Sequence, residues 1–166
     1  MGKPRATAAG FSLIEAVITL GIFSFIMLGI IGGTIHARKS SEATVHAALA
    51  DSVTLGFLEQ IKNVDYPVLR NAALAADGGT LTLYVDSAQP IQTILNQADF
   101  VDLAIPLDTD LAGEVSRTMD YSFRPRVIVD ANLPFLTVVI EYRWDTPMIG
   151  LRSHTMSVSR SAVTDF

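Results

Sequence analysis

The chain has 166 residues, 49% of them hydrophobic, and a net charge of −5 from 12 basic and 17 acidic side chains. It has no cysteine, which excludes a disulfide framework, a thiolate metal site and a cysteine nucleophile. The length allows an anchor plus one small globular domain. The acidic balance, with no lysine after Lys62, argues against a basic face for nucleic acid.

Residues 1–10 carry Lys3 and Arg5 and end in Gly10. From Phe11 to Ile35 almost every residue is apolar or small, and the single charge is Glu15. Roughly 20 apolar residues suffice for a helix to cross a bilayer, so residues 11–35 read as a membrane span. A carboxylate costs about 2.5–3.5 kcal/mol at the centre of such a helix and less near its end, so Glu15 marks a functional position. A secretory signal peptide cut after the apolar part fits worse. Its apolar region is usually about 7–15 residues long. The nearest small-residue cut site, around Ala37, also has Ile35 where a small residue is wanted. An uncut anchor leaves Glu15 unexplained.

Residues 36–62 continue the helix with an amphipathic character. His36, Arg38 and Lys39 read as interfacial anchors. Val45, Leu49, Val53, Phe57 and Ile61 recur every four residues and predict a stripe that packs on a globular domain. Asp51, Thr54, Glu59 and Lys62 fall largely on other faces. Pro67 ends the helix, because the residue before a proline avoids the helical region. In the apolar half, Gly29 and Gly33 form a GxxxG spacing that permits close helix approach. Gly32 and Gly33 together are a candidate soft point, since each glycine weakens a helix by about 1 kcal/mol relative to alanine; filler without a role is an equal reading.

Residues 63–118 read as a variable connecting region. Asp77-Gly78-Gly79 signals a turn, and Thr80 to Val85 alternates as one short strand. Gln89 to Glu114 mixes prolines, acids and short apolar runs, with room for one helical turn. Residues 119–166 read as an antiparallel sheet. Met119–Val129, Pro134–Trp144 and Leu151–Arg160 are strands, with turns at Asp130–Leu133 and Asp145–Pro147. Leu136, Val138, Ile140 and Tyr142 share one face; Thr137, Val139, Glu141 and Arg143 share the other. The fold class is α+β: a long N-terminal helix on a C-terminal antiparallel sheet.

No catalytic constellation emerges, and the expectation is a protein that is not an enzyme and uses no cofactor. His36, His46 and His154 lack metal-ligand spacing. Asp108, Asp110 and Glu114 place hard oxygen ligands in one loop, as calcium sites do. Yet the EF-hand pattern is not met, and such acids usually face water, so no metal is assigned. Phe123, Tyr142 and Trp144 sit at alternating strand positions that favour core or sheet surface over a binding patch.

The run Gly10-Phe11-Ser12-Leu13-Ile14-Glu15 resembles the class III signal of type IV pilins and type II secretion pseudopilins. The resemblance in sequence covers the first third of the chain. It implies that prepilin peptidase cuts between Gly10 and Phe11 on the cytoplasmic face and methylates the new Phe11 amine. It also implies that Glu15 pairs with the N-terminal amine of a neighbouring subunit in a filament. The implied partners are prepilin peptidase, other pilin or pseudopilin subunits, an inner-membrane assembly platform and the lipid bilayer. The implied location is the inner membrane, with the C-terminal domain periplasmic, and then the filament. Many pilins staple their C-terminal region with a disulfide; this chain cannot, which tilts the reading to a minor pilin or minor pseudopilin over a major pilin. A membrane-tethered periplasmic binding or sensor domain is the alternative from a different class.

Overall fold

The computed structural model describes residues 12–86, 89–109, 115–130, 134–146 and 149–162. The chain divides into two compact units, residues 1–41 and 42–166. One helix, α1 (Leu13–Lys62), supplies residues to both. Then follow α2 (Tyr66–Leu74), β1 (Thr80–Asp86), β2 (Gln89–Ile94), β3 (Val101–Thr109), β4 (Val115–Val129), β5 (Phe135–Thr146) and β6 (Gly150–Ser161).

In the first unit, α1 is apolar on all sides and exposed on all sides. Leu13 is 84% exposed and Phe25 80%. The hydroxyls of Thr19, Ser24 and Thr34 donate to the carbonyls of Glu15, Leu20 and Ile30 at 2.7–2.8 Å. The helix thereby satisfies its own side-chain donors without need of water.

In the second unit, the distal part of α1 buries His46, Ala50, Thr54, Phe57, Leu58 and Ile61. Most of the four-residue stripe expected from the sequence packs here, with Phe57 and Ile61 buried and Leu49 and Val53 half-buried against the core, but Val45 is 57% exposed, and Thr54 is completely buried. A strict spacing of four drifts by about 40° at each step around a helix with 3.6 residues per turn. The buried line corrects for that drift by stepping three residues from Thr54 to Phe57 and using Leu58 beside it. α1 ends at Lys62, ahead of Pro67, but not through the proline: Tyr66, the residue before it, is helical, and Pro67 lies in the first turn of α2, where its missing N–H has no helical partner to lose.

β3–β6 form a four-stranded antiparallel meander in chain order, and β1–β2 form a separate hairpin. Strict alternation builds the meander: Met119, Tyr121, Phe123 and Val127 of β4 and Leu136, Val138, Ile140, Tyr142 and Trp144 of β5 are buried. They pack with the distal helix in a single core that also takes Leu69 from α2 and Leu81, Leu83 and Leu95 from the hairpin region.

The supposed connecting region 63–118 is structured wherever it is described. It contains α2, the hairpin and β3, so the sheet starts at Val101 and not at Met119, and residues 89–109 contribute strands with no helical turn. β3 escaped notice because Ala104 and Pro106 blur its alternation of Val101, Leu103, Ile105 and Leu107. Pro106 is tolerated because β3 is an edge strand. The turn at Asp77–Gly79 is real. Gly78 has φ +70°, and a Cβ there would lie 2.4 Å from the Leu95 carbonyl oxygen, so only glycine fits. The turn residues Ala131–Leu133 and Pro147 lie outside the described residues.

Asn96 joins the hairpin to the meander. It is the one non-glycine residue with positive φ, at 60°, among the described residues. Its N–H donates to the Pro125 carbonyl at 3.1 Å, and its Oδ1 accepts from the Val127 N–H at 2.9 Å. Both β4 groups lie beyond the start of β3, which pairs only as far as Phe123. Asn96 therefore continues the ladder with one backbone and one side-chain group. The gap it fills also accommodates Pro125, a proline in a central strand, because no partner strand needs its missing N–H there.

Candidate functional site

The feature that sets this chain apart is the exposed apolar part of α1. It is the one helix, among the described residues, long and apolar enough to cross a membrane. Its most apolar 18-residue window has a mean hydropathy of 2.3 and no buried residue. Leu13 to Ile35 rises about 35 Å at 1.5 Å per residue, enough for a hydrocarbon core of about 30 Å.

Glu15 lies in the first turn of this helix. The Glu15 and Ala16 N–H groups donate to the Ser12 carbonyl at 3.0 and 3.1 Å. A carboxylate in the first turn is favoured by the unpaired N–H groups and the helix dipole. Gly10 and Phe11, the expected cleavage and methylation positions, lie outside the described residues, as do the leader residues Lys3 and Arg5. Gly32 and Gly33 are helical and uncrowded: a Cβ at either would meet nothing within 4 Å. The isolated chain thus has a continuous helix across the candidate soft point. His36 and Arg38 are exposed and Lys39 is half-buried at the end of the apolar stretch.

In the second unit the expected aromatic trio is core. Phe57 stacks on Phe123 with ring centroids 4.6 Å apart, and Tyr142 stacks on Trp144 at 5.8 Å. Two tyrosine hydroxyls carry hydrogen bonds into the distal helix. The Tyr121 and Thr54 hydroxyls are 2.8 Å apart, and Tyr142 donates to Asp51 Oδ1 at 2.5 Å. Burial, first of all, raises the pKa of both phenols. For Tyr142 the hydrogen bond to Asp51 and the Asp51 charge add to the effect. His154 Nδ1 lies 3.9 Å from the same Asp51 oxygen, and its ring stands edge-on to Trp144 at 5.1 Å. The spacing of Asp51, Tyr142 and His154 in the sequence gives no hint of this cluster, because it forms across a helix and two strands.

The opposite face of the sheet is polar. Arg124 and Arg143 place their guanidinium groups 4.7 and 4.2 Å from the centre of the Phe100 ring. Arg124 also pairs with Glu141 and donates to the Ala98 carbonyl at 2.7 Å. The hydrogen bond from Arg124, aided by the charges of Arg124 and Arg126, holds the Glu141 carboxyl below its usual range against the opposing effect of burial. These contacts fasten the segment before β3 to the sheet.

Of the calcium candidate, Asp108 is exposed in β3, and residues 110–114 lie outside the described residues. Among the described residues no three His, Cys, Asp or Glu side chains gather as a metal site. No protein-family model, no curated protein and no solved structure matches this chain.

Proposed function

We propose that this protein is a structural subunit of a type IV pilus or of a type II secretion pseudopilus, a minor subunit in preference to a major one. The observation that carries the reading is the first half of α1: about 35 Å of helix, apolar on every side, exposed, with Glu15 as its only acid. Such a surface needs either lipid or other apolar helices around it. In the proposed life of the protein it takes both in turn. It first anchors the chain in the inner membrane with the distal domain in the periplasm, and it then packs among identical or related helices in a filament.

Processing supplies the chemistry. Prepilin peptidase cleaves the Gly10–Phe11 bond, and the Phe11 amine is then methylated. That amine is mostly charged at neutral pH, with an ordinary pKa of about 7.7–8.0. In the filament it neutralises Glu15 of a neighbour, which removes the cost of a buried unpaired carboxylate and sets the stagger between subunits. The domain built on the distal helix occupies the filament surface.

Mass spectrometry of the N-terminal peptide, after expression with a prepilin peptidase, tests the first step. The expected peptide begins at methylated Phe11. A start at Met1 leaves a tethered domain as the better account, and a start near Ser40 removes the reading. Glu15→Ala tests the second step: the variant inserts in the membrane as the wild type does but assembles poorly. Assembly at the wild-type level would reduce α1 to a tether.

A further inference from the structure

The two outer strands of the meander, β3 and β6, are treated very differently by the sequence. An edge strand presents unpaired N–H and C=O groups to any passing strand, and proteins usually blunt it with proline, bulges or charge. β3 is blunted. The β4 groups of Pro125 and Val127 that bond Asn96 face the β3 side, so β4 offers its odd-numbered residues to β3. By the register Phe123–Val101 and Met119–Ile105, the odd residues of β3 bond β4 and the even ones face outward. Pro106 therefore turns its missing N–H to the open edge. The register breaks on either side of Asp108 complete the blunting. The hairpin edge is closed in another way: the Gln60 amide donates to the Tyr84 carbonyl and accepts its N–H, both at 2.7 Å.

β6 has neither proline nor bulge, and its only charges are Arg152 and Arg160. It pairs with β5 over twelve residues without a register break, contains no proline, and is exposed along most of its length. The Ala162 N–H donates to the Pro134 carbonyl at 2.7 Å, one step beyond the pair Phe135–Ser161. Even-numbered residues of β6 therefore bond β5, and the backbone groups of Leu151, Ser153, Thr155, Ser157 and Ser159 point to the open edge. The charges on the strand are of one sign: it holds Arg152, which is exposed, and Arg160, which is half-buried and donates to the Val64 carbonyl, and it holds no acid.

We infer that β6 is a docking edge that accepts an extended acidic strand from a different polypeptide, adding a fifth strand to the sheet. Charge selects the partner. A second copy of β6 brings no acid and so gains no opposite charge across the new ladder in any register, whereas an acid opposite the exposed Arg152 is favourable. The β3 edge of a second copy carries the right sign, with Asp102 and Asp108, but Pro106 and the adjacent bulges leave only Asp102 and Ala104 to pair. Five outward-facing residues on β6 want a longer, unbroken strand. The Ser and Thr side chains of the odd face supply hydroxyls for cross-strand bonds on that side. This inference stands apart from the filament reading, since it uses only residues 42–166.

The test uses the full chain in detergent micelles. The probe is a capped nine-residue peptide in which threonine alternates with glutamate or valine; its counterpart has lysine for glutamate. The readout is amide hydrogen exchange of Ser153, Thr155, Ser157 and Ser159. The acidic peptide is expected to slow all four, and the lysine peptide to leave them fast. Ser157→Pro removes one outward N–H without touching the bonds to β5 and abolishes the protection. Arg152→Glu leaves the backbone intact and is expected to weaken the acidic peptide by roughly fivefold and to favour the lysine one. Equal protection by both peptides, or an unchanged preference in Arg152→Glu, overturns the inference. So does protection that appears without peptide and grows with protein concentration, because the occupant would then be a second copy.

Discussion

Replacing Asn96 tests whether one residue really joins the hairpin to the sheet. Asn96→Ala loses two things. The Val127 N–H, bonded to Asn96 Oδ1 at 2.9 Å, is left without its partner in a part-buried position, which costs about 1–3 kcal/mol. The backbone at φ 60° costs a residue with a Cβ and no local hydrogen bond about 1 kcal/mol more. The bond from Nδ2 to the Ala73 carbonyl at 3.2 Å is exposed, and water replaces it. The total is about 2–4 kcal/mol, or a fall in Tm on the order of 10 °C for a domain of this size. Asn96→Gly relieves the strain but not the orphaned donor, and it loosens the unfolded chain, so it falls by about 1–3 kcal/mol. Asn96→Asp keeps both the acceptor and tolerance of positive φ and stays within about 1 kcal/mol of wild type. Unfolding followed by the fluorescence of Trp144, the single tryptophan, ranks the three. Amide exchange of Val127 checks the cause. If alanine proves no worse than aspartate, or if the Val127 amide stays protected in Asn96→Ala, the ladder continuation is not what holds the hairpin.

Three more outcomes are expected. Tyr121 and Tyr142 have raised pKa values, chiefly through burial. The stability each contributes is fully present below its unfolded value near 10 and is lost as pH rises toward the folded value. Domain stability should therefore fall above pH 10, with tyrosinate absorbance from these two residues rising only as Trp144 fluorescence reports unfolding; ionisation in a native domain would refute it. Glu141 behaves oppositely: its folded pKa is lowered from 4.5, so its contribution is present above that value and disappears as pH falls below it. Glu141→Gln should flatten the acid limb of a pH–stability curve, and an unchanged limb would discount the pairing with Arg124. His46 is buried with no partner for Nδ1 among the described residues, so His46→Leu should raise stability by about 1 kcal/mol in urea unfolding; a loss of that size would mean the imidazole is held by something further.

The sequence by itself determined the elements whose periodicity is long or strict. The apolar run to Ile35 was legible as a helix long and apolar enough to cross a membrane, because length and composition alone set that. β4 and β5 were legible because alternation every second residue leaves one face apolar over nine or more positions. Gly78 announced its turn because only glycine takes that backbone angle without strain.

Tertiary structure decided the rest. β3 is a strand because β4 has an edge to pair with, and that pairing outweighs the poor strand signals of Ala104 and Pro106. Thr54 and His46 are buried because the helix meets the sheet along a line that steps by three as well as four, and the sheet's aromatics fix that line. Asp51, Tyr142 and His154 meet only when a helix and two strands are stacked, and no spacing along one element encodes contact between three. The open edge of β6 is a property of where the sheet stops. A strand's sequence gives its alternation, but whether a neighbour pairs with its outer side is a fact about the assembled fold.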